Sequence, residues 1–117
     1  MSIEHEQSAT DEQVVIKEID NQISKNAILL YMKGTPQQPQ CGFSAKAVQA
    51  LSACEKPFGF VNILENPEIR AILPKHKQWP TFPQLYVNGE LIGGSDIIME
   101  MYDDGELQAL LEQIDVK

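Results

Sequence analysis

The chain has 117 residues, 43% hydrophobic and 22% charged, a size and balance that fit one globular domain with its own core and exclude wholesale disorder or a fibre. A formal net charge of -8, with nine basic side chains against seventeen acidic ones, argues against a nucleic-acid partner, because phosphate binding is driven by Lys and Arg. No stretch approaches the ~20 apolar residues of a membrane span, no apolar leader opens the chain, and two cysteines are too few for a disulfide framework, so a reducing, cytoplasmic location is expected.

Residues 1–9 read as a flexible tail and residues 10–117 as one domain. Thr10 and Gln13 have the spacing of a capping box, and Val15, Ile19 and Ile23 then recur every four residues as the buried stripe of a helix. Ala27 to Met32 is a short continuous apolar run, which fits a strand buried on both faces. Gly34 to Gln40 has two prolines and no periodicity, so it is a loop, and it delivers the chain to Cys41. From there to Cys54 an alanine-rich, proline-free segment predicts a helix that opens at the cysteine.

Phe58 to Ile63 is the next strand, and Asn66-Pro67 supplies an N-cap and first-turn proline for a helix through about Leu73. Asn88-Gly89 between two apolar runs predicts a two-residue hairpin turn. After Gly93 and Gly94, Ser95 or Asp96 can cap a further helix, and Gly105 separates it from a last one. The order of elements predicts an α/β domain of thioredoxin-like form, a four-stranded mixed sheet flanked by helices on both faces. In such sheets reactive groups sit beyond the carboxyl ends of strands, where Cys41 falls.

At a helix opening, unpaired amides and the positive end of the dipole favour thiolate over thiol, so Cys41 is the candidate reactive residue. Cys54, at the far end of the same helix, reads as a filler. A dithiol redox cycle needs a second cysteine three residues on, yet Ser44 stands there. Cys41 must then exchange with an external thiol or serve as a metal or cluster ligand. His5 and His76 have no metal-ligand spacing with either cysteine and read as surface residues.

Four motifs, Lys33-Gly34-Thr35-Pro36, Cys41-Gly42-Phe43-Ser44, Trp79-Pro80-Thr81-Phe82-Pro83 and Gly93-Gly94-Ser95-Asp96, together resemble the monothiol glutaredoxins in order and spacing. The resemblance covers roughly residues 12 to 115 and implies a glutathione site. Lys33 and Arg70 would hold its glycyl carboxylate. A cis Pro83 would let the Phe82 main chain pair with its cysteinyl part, with Thr81 beside it and Trp79 either under the site or in the core. The amides of the Gly94, Ser95, Asp96 turn would take the γ-glutamyl carboxylate, with Asp96 on the ammonium. Helix capping alone also accounts for Ser95 and Asp96.

A [2Fe-2S] cluster usually takes four thiolates. Cys41 and one glutathione supply two, so the resemblance implies a homodimer bridged by a cluster, with Cys41 as the protein ligand. It further implies a carrier that hands the cluster to apo iron-sulfur clients, and a BolA-like protein as an alternative partner. The other expectation is a monothiol oxidoreductase in which the Cys41 thiolate reduces glutathione mixed disulfides.

Overall fold

The computed structural model describes the main chain of residues 2–115 and the side chains of residues 11–115. In chain order the elements are α1 (Ser2–Lys25), β1 (Ile28–Met32), α2 (Gly42–Ala53), β2 (Gly59–Asn62), α3 (Pro67–His76), β3 (Gln84–Val87), β4 (Glu90–Gly93), α4 (Ser95–Asp104) and α5 (Glu106–Glu112).

β1 organises the rest. Its five residues are all buried, so it has no face to give to water and takes a central place in the sheet order β2-β1-β3-β4. Successive side chains point to opposite sides. Ile28, Leu30 and Met32 pack with Ala47 and Leu51 of α2, Ile98 of α4 and Leu107 and Leu111 of α5. Leu29 and Tyr31 pack with Ile19 and Ile23 of α1, Ile69 and Leu73 of α3, and Tyr86. Each fully buried Leu or Ile in these two layers contributes roughly 1.5–3 kcal/mol of transfer free energy.

The sheet is mixed, as expected: β2 runs parallel to β1, while β3 lies antiparallel to β1 and to β4. The β3–β4 turn has Asn88 at φ 49° and Gly89 at φ 84°, the two left-handed residues of a type I′ hairpin. Gly105, at φ 80°, breaks α4 from α5.

Two helices depart from the sequence pattern. α1 already begins at Ser2, so the main chain of residues 2–9, expected as a tail, continues the helix, and Thr10 and Gln13 lie inside it instead of capping it. A Glu-, Gln- and Ala-containing opening without Pro or Gly has nothing to stop a helix. Met1 and the side chains of residues 1–10, His5 among them, lie outside the described residues.

α3 passes beyond Leu73 to His76 with Pro74 inside it; Pro74 deprives only the Arg70 carbonyl of a helical partner, and Asn66 at its N-cap gives its side-chain amide to the Asn62 carbonyl at 2.9 Å. His76 is not a free surface residue: half-buried, it meets Asp20 Oδ1 through Nε2 at 2.9 Å and ties α3 to α1.

Candidate functional site

The loop after β1 is held tightly enough to fix where Cys41 lands. Gln38 and Thr35 exchange main-chain hydrogen bonds of 3.0 and 3.2 Å, Gln40 N–H reaches the Lys33 carbonyl at 2.8 Å, and Gly34 N–H reaches Asn62 Oδ1 on β2 at 2.9 Å. Gly34 sits at φ 96°, and a Cβ there would lie 2.5 Å from the Gln38 carbonyl oxygen and 2.7 Å from the Gln40 nitrogen, so only glycine lets the loop close.

Cys41 is the N-cap of α2, with extended backbone (φ -154°, ψ 157°) and its sulfur accepting the Ser44 N–H at 3.3 Å. Ser44 is fully buried. Its Oγ accepts the Lys33 N–H at 3.1 Å and lies 3.3 Å from Cys41 Sγ, so its one hydroxyl proton is available to a thiolate. Partial burial pushes the Cys41 thiol up, but the Ser44 side chain, the Ser44 and Phe43 amides and the Lys33 charge outweigh it and bring the thiol below its ordinary value. Cys54 has the opposite balance: half-buried, its thiol is pushed up by desolvation and donates to the Ala50 carbonyl at 3.3 Å.

Beside this helix start lies a cavity of about 660 Å³. Its wall contains Lys33 from the end of β1, Arg70 from α3, Thr81 and Phe82 from the loop before β3, and Gly94, Ser95 and Asp96 from the opening of α4. The structure thus brings together all seven residues that the resemblance assigns to a ligand, Arg70 among them although it lies outside the four motifs. Cys41 is next to this wall and not in it: Lys33 bears on its thiol, and Phe43, two residues on, joins the wall while remaining 60% exposed.

The Phe82–Pro83 peptide is cis. Among the described residues the Phe82 main chain has no hydrogen-bond partner, while its ring packs against the α1–α3 layer of the core. Gly94 marks the contact between this loop and α4, since a Cβ there would come within 3.3 Å of the Pro83 carbonyl oxygen.

α4 is capped differently from the sequence expectation. The N-cap is Gly94, with no side-chain bond to the helix, and the first intrahelical bond is Ile98 N–H to the Gly94 carbonyl. Ser95 and Asp96 are inside the helix, so the amides of its first turn are left for an external acceptor. Two buried polar atoms of the wall, Ser95 Oγ and Trp79 Nε1, also have no hydrogen-bond partner among the described residues. Buried polar atoms are rarely left so, and both fit a site whose ligand brings polar groups of its own.

Sequence reasoning missed Phe43, Pro74, Pro80 and Ile97 as parts of the wall. Phe43 and Pro80 lie within the quoted motifs, so their neighbours were the available signal; Pro74 and Ile97 carry none. No group of three or more His, Cys, Asp or Glu converges as a metal cage among the described residues, and no helix there is long and apolar enough to cross a membrane.

Residues 28–92 match the family described as Glutaredoxin. The chain is 61% identical over 102 residues to Glutaredoxin 4 of Escherichia coli strain K12, covering 87% of this chain and 89% of that protein. It is 59% identical to Glutaredoxin 4 of Pasteurella multocida strain Pm70 over 87% of this chain and 94% of that one. Among solved structures, reduced poplar apo GrxS14 superimposes with a TM-score of 0.73 at 46% identity, over 85% of this chain and 91% of the other. The holo form of poplar glutaredoxin C1 shares the fold, with a TM-score of 0.80 at 20% identity over 92% and 97% of the two chains.

Proposed function

This chain belongs to the glutaredoxin family, and from that premise we propose that it binds glutathione in the cavity beside Cys41 and carries a [2Fe-2S] cluster between proteins. One observation supports the reading above the others. A thiol lowered by its surroundings stands beside a cavity whose wall suits a small anionic peptide, with a buried serine where a second cysteine would be needed for a dithiol cycle.

The wall has the chemistry that glutathione requires. Lys33 and Arg70 offer charge-assisted hydrogen bonds to one carboxylate, and the uncapped amides of α4 offer them to the other. Asp96 can accept the ammonium. The unpaired main chain of Phe82 can pair with the middle of the peptide as an added strand would. A cavity of about 660 Å³ is of the size that holds a small ligand.

Held there, glutathione brings a second thiolate next to that of Cys41. Two chains with their two glutathiones then complete the four thiolates of a cluster, which is why the reading entails a cluster-bridged homodimer. Half of those ligands exchange freely, which suits a cargo handed on to apo iron-sulfur proteins; a BolA-like partner would replace one of the two chains.

The lowering of the Cys41 thiol by Ser44, the α2 amides and Lys33 also favours a second reading. Here the Cys41 thiolate attacks the glutathione sulfur of a mixed disulfide and expels the protein thiolate. A second glutathione thiolate then attacks the Cys41-glutathione disulfide, releasing oxidised glutathione and restoring Cys41.

Anaerobic reconstitution with iron, sulfide and glutathione, read by visible absorbance and gel filtration, separates the two. The parent should turn coloured and dimeric, and Cys41→Ser should stay colourless and monomeric. A colourless monomer in both, with brisk turnover of a glutathione mixed disulfide by the parent, would replace the carrier with the reductase.

A further inference from the structure

We propose that Gln84, which does not line the cavity, is a positioning residue of the site: its buried amide sets the main chain of the Trp79–Thr81 segment and so the presentation of Phe82 to the ligand. The proposal deepens the glutathione reading and rests on it for the identity of the ligand.

Gln84 opens β3, opposite Tyr31 of the central strand, and is fully buried. A primary amide in that place is costly unless each polar atom is paired, and an apolar residue would fill the space without that cost. All its polar atoms are paired. Nε2 donates one proton to the Trp79 carbonyl at 3.0 Å and the other to the Thr81 carbonyl at 3.1 Å, while Oε1 accepts the Tyr86 hydroxyl at 2.8 Å. The partners fix the orientation of the amide, since the reverse would turn its oxygen on two carbonyls.

These two carbonyls belong to a segment without regular structure whose residues Trp79, Thr81 and Phe82 form the cavity wall. On its other side the segment is held by Trp79 N–H to the Pro74 carbonyl at 3.0 Å. Behind Gln84 the support runs into the core. The Tyr86 ring meets that of Tyr31 edge-on at 5.7 Å, and the Tyr31 hydroxyl donates to Gln22 Oε1 of α1 at 2.7 Å. A rigid supporting layer of this kind decides how well a binding group is presented.

Trp79 is the only tryptophan in the chain, so its fluorescence reports the segment with or without ligand. The test compares the full-length parent with Gln84→Leu, Gln84→Glu and Tyr86→Phe by circular dichroism, acrylamide quenching of Trp79, glutathione titration and the rate of Cys41 alkylation. In folded Gln84→Leu, quenching should rise and the glutathione Kd should rise about tenfold, with alkylation within about twofold of the parent, because the bonds that activate Cys41 are untouched. Tyr86→Phe should lose less, since both bonds to the carbonyls survive. Gln84→Glu should resemble Gln84→Leu at about pH 8 and recover part of its affinity, relative to the parent, at about pH 5, where a protonated carboxyl can again donate to one carbonyl.

Parent-like quenching and affinity in folded Gln84→Leu would overturn the proposal. Should that variant not fold, Gln84→Glu decides instead, and absence of any recovery at low pH counts against it. If the parent takes up no glutathione, the glutathione reading fails, while Trp79 quenching in the variants still passes judgement on Gln84.

Discussion

Ser44 Oγ accepts the Cys41 thiol at 3.3 Å and the Lys33 N–H at 3.1 Å, so the residue that replaces a resolving cysteine is held where its own hydroxyl proton can turn to the sulfur once that sulfur is a thiolate. Its burial leaves it few other orientations. Ser44→Ala should therefore raise the Cys41 thiol value and slow its alkylation near neutral pH several-fold, while alkylation at a pH above both thiol values is little changed. Equal rates for the two proteins across the whole pH profile would show that the contact does not act on the thiolate.

The same depressed thiol value makes a prediction about stability, with a definite sign. Between the folded value and the ordinary thiol value of about 8.5, the unfolded chain binds more protons than the folded one, so stability rises with pH through that window. The contribution is fully present above the unfolded value and is lost as pH falls through the folded one. The difference in Tm between the parent and Cys41→Ser should grow in the parent's favour as pH is raised towards 9 under reducing conditions. A difference that is flat with pH would contradict it.

Lys33 and Arg70 both line the cavity, but only Lys33 acts on the thiol. Arg70→Ala should weaken glutathione binding by about tenfold, as expected for a lost charge-assisted bond at an exposed site, and leave the alkylation profile in place. Lys33→Ala should weaken binding and also shift the profile upward. Calorimetry with glutathione and alkylation against pH, run on both variants, would separate the two roles.

Two glycines near Cys41 should differ in their tolerance of a methyl group. Gly34→Ala forces a Cβ into the Gln38 carbonyl and Gln40 nitrogen at a positive φ, and should cost about 1–3 kcal/mol in urea unfolding. At Gly42 nothing among the described residues lies within 4 Å of the added carbon, so Gly42→Ala should stay within about 0.5 kcal/mol of the parent.

The sheet and the line of the site were legible in the sequence because their signals are local. The apolar run from Ala27 marks the central strand, Asn88-Gly89 the hairpin, and Cys41 at a loop-to-helix step the reactive group. What stayed hidden depends on contacts between distant segments. His76 reads as a surface residue until Asp20 of α1 is brought to it. Gln84 sits in an apolar run, and only the folded loop provides the carbonyls that explain its amide. The α4 cap was misplaced because Gly94, Ser95 and Asp96 are all acceptable N-cap residues or neighbours of one, and the packing of Gly94 against the Pro83 carbonyl favours the glycine there.

The cavity wall draws on Lys33 in the first third of the chain and on Asp96 in the last third, with β3 placed between β1 and β4 to bring them together. A chain emerging from the ribosome therefore exposes the Cys41 sulfur well before it owns a pocket to serve. Until the last third of the polypeptide has been made and β3 has paired with β1 there is no pocket, and in the unfolded chain the sulfur keeps its ordinary thiol value, so reactivity and selectivity are both properties that folding confers on Cys41.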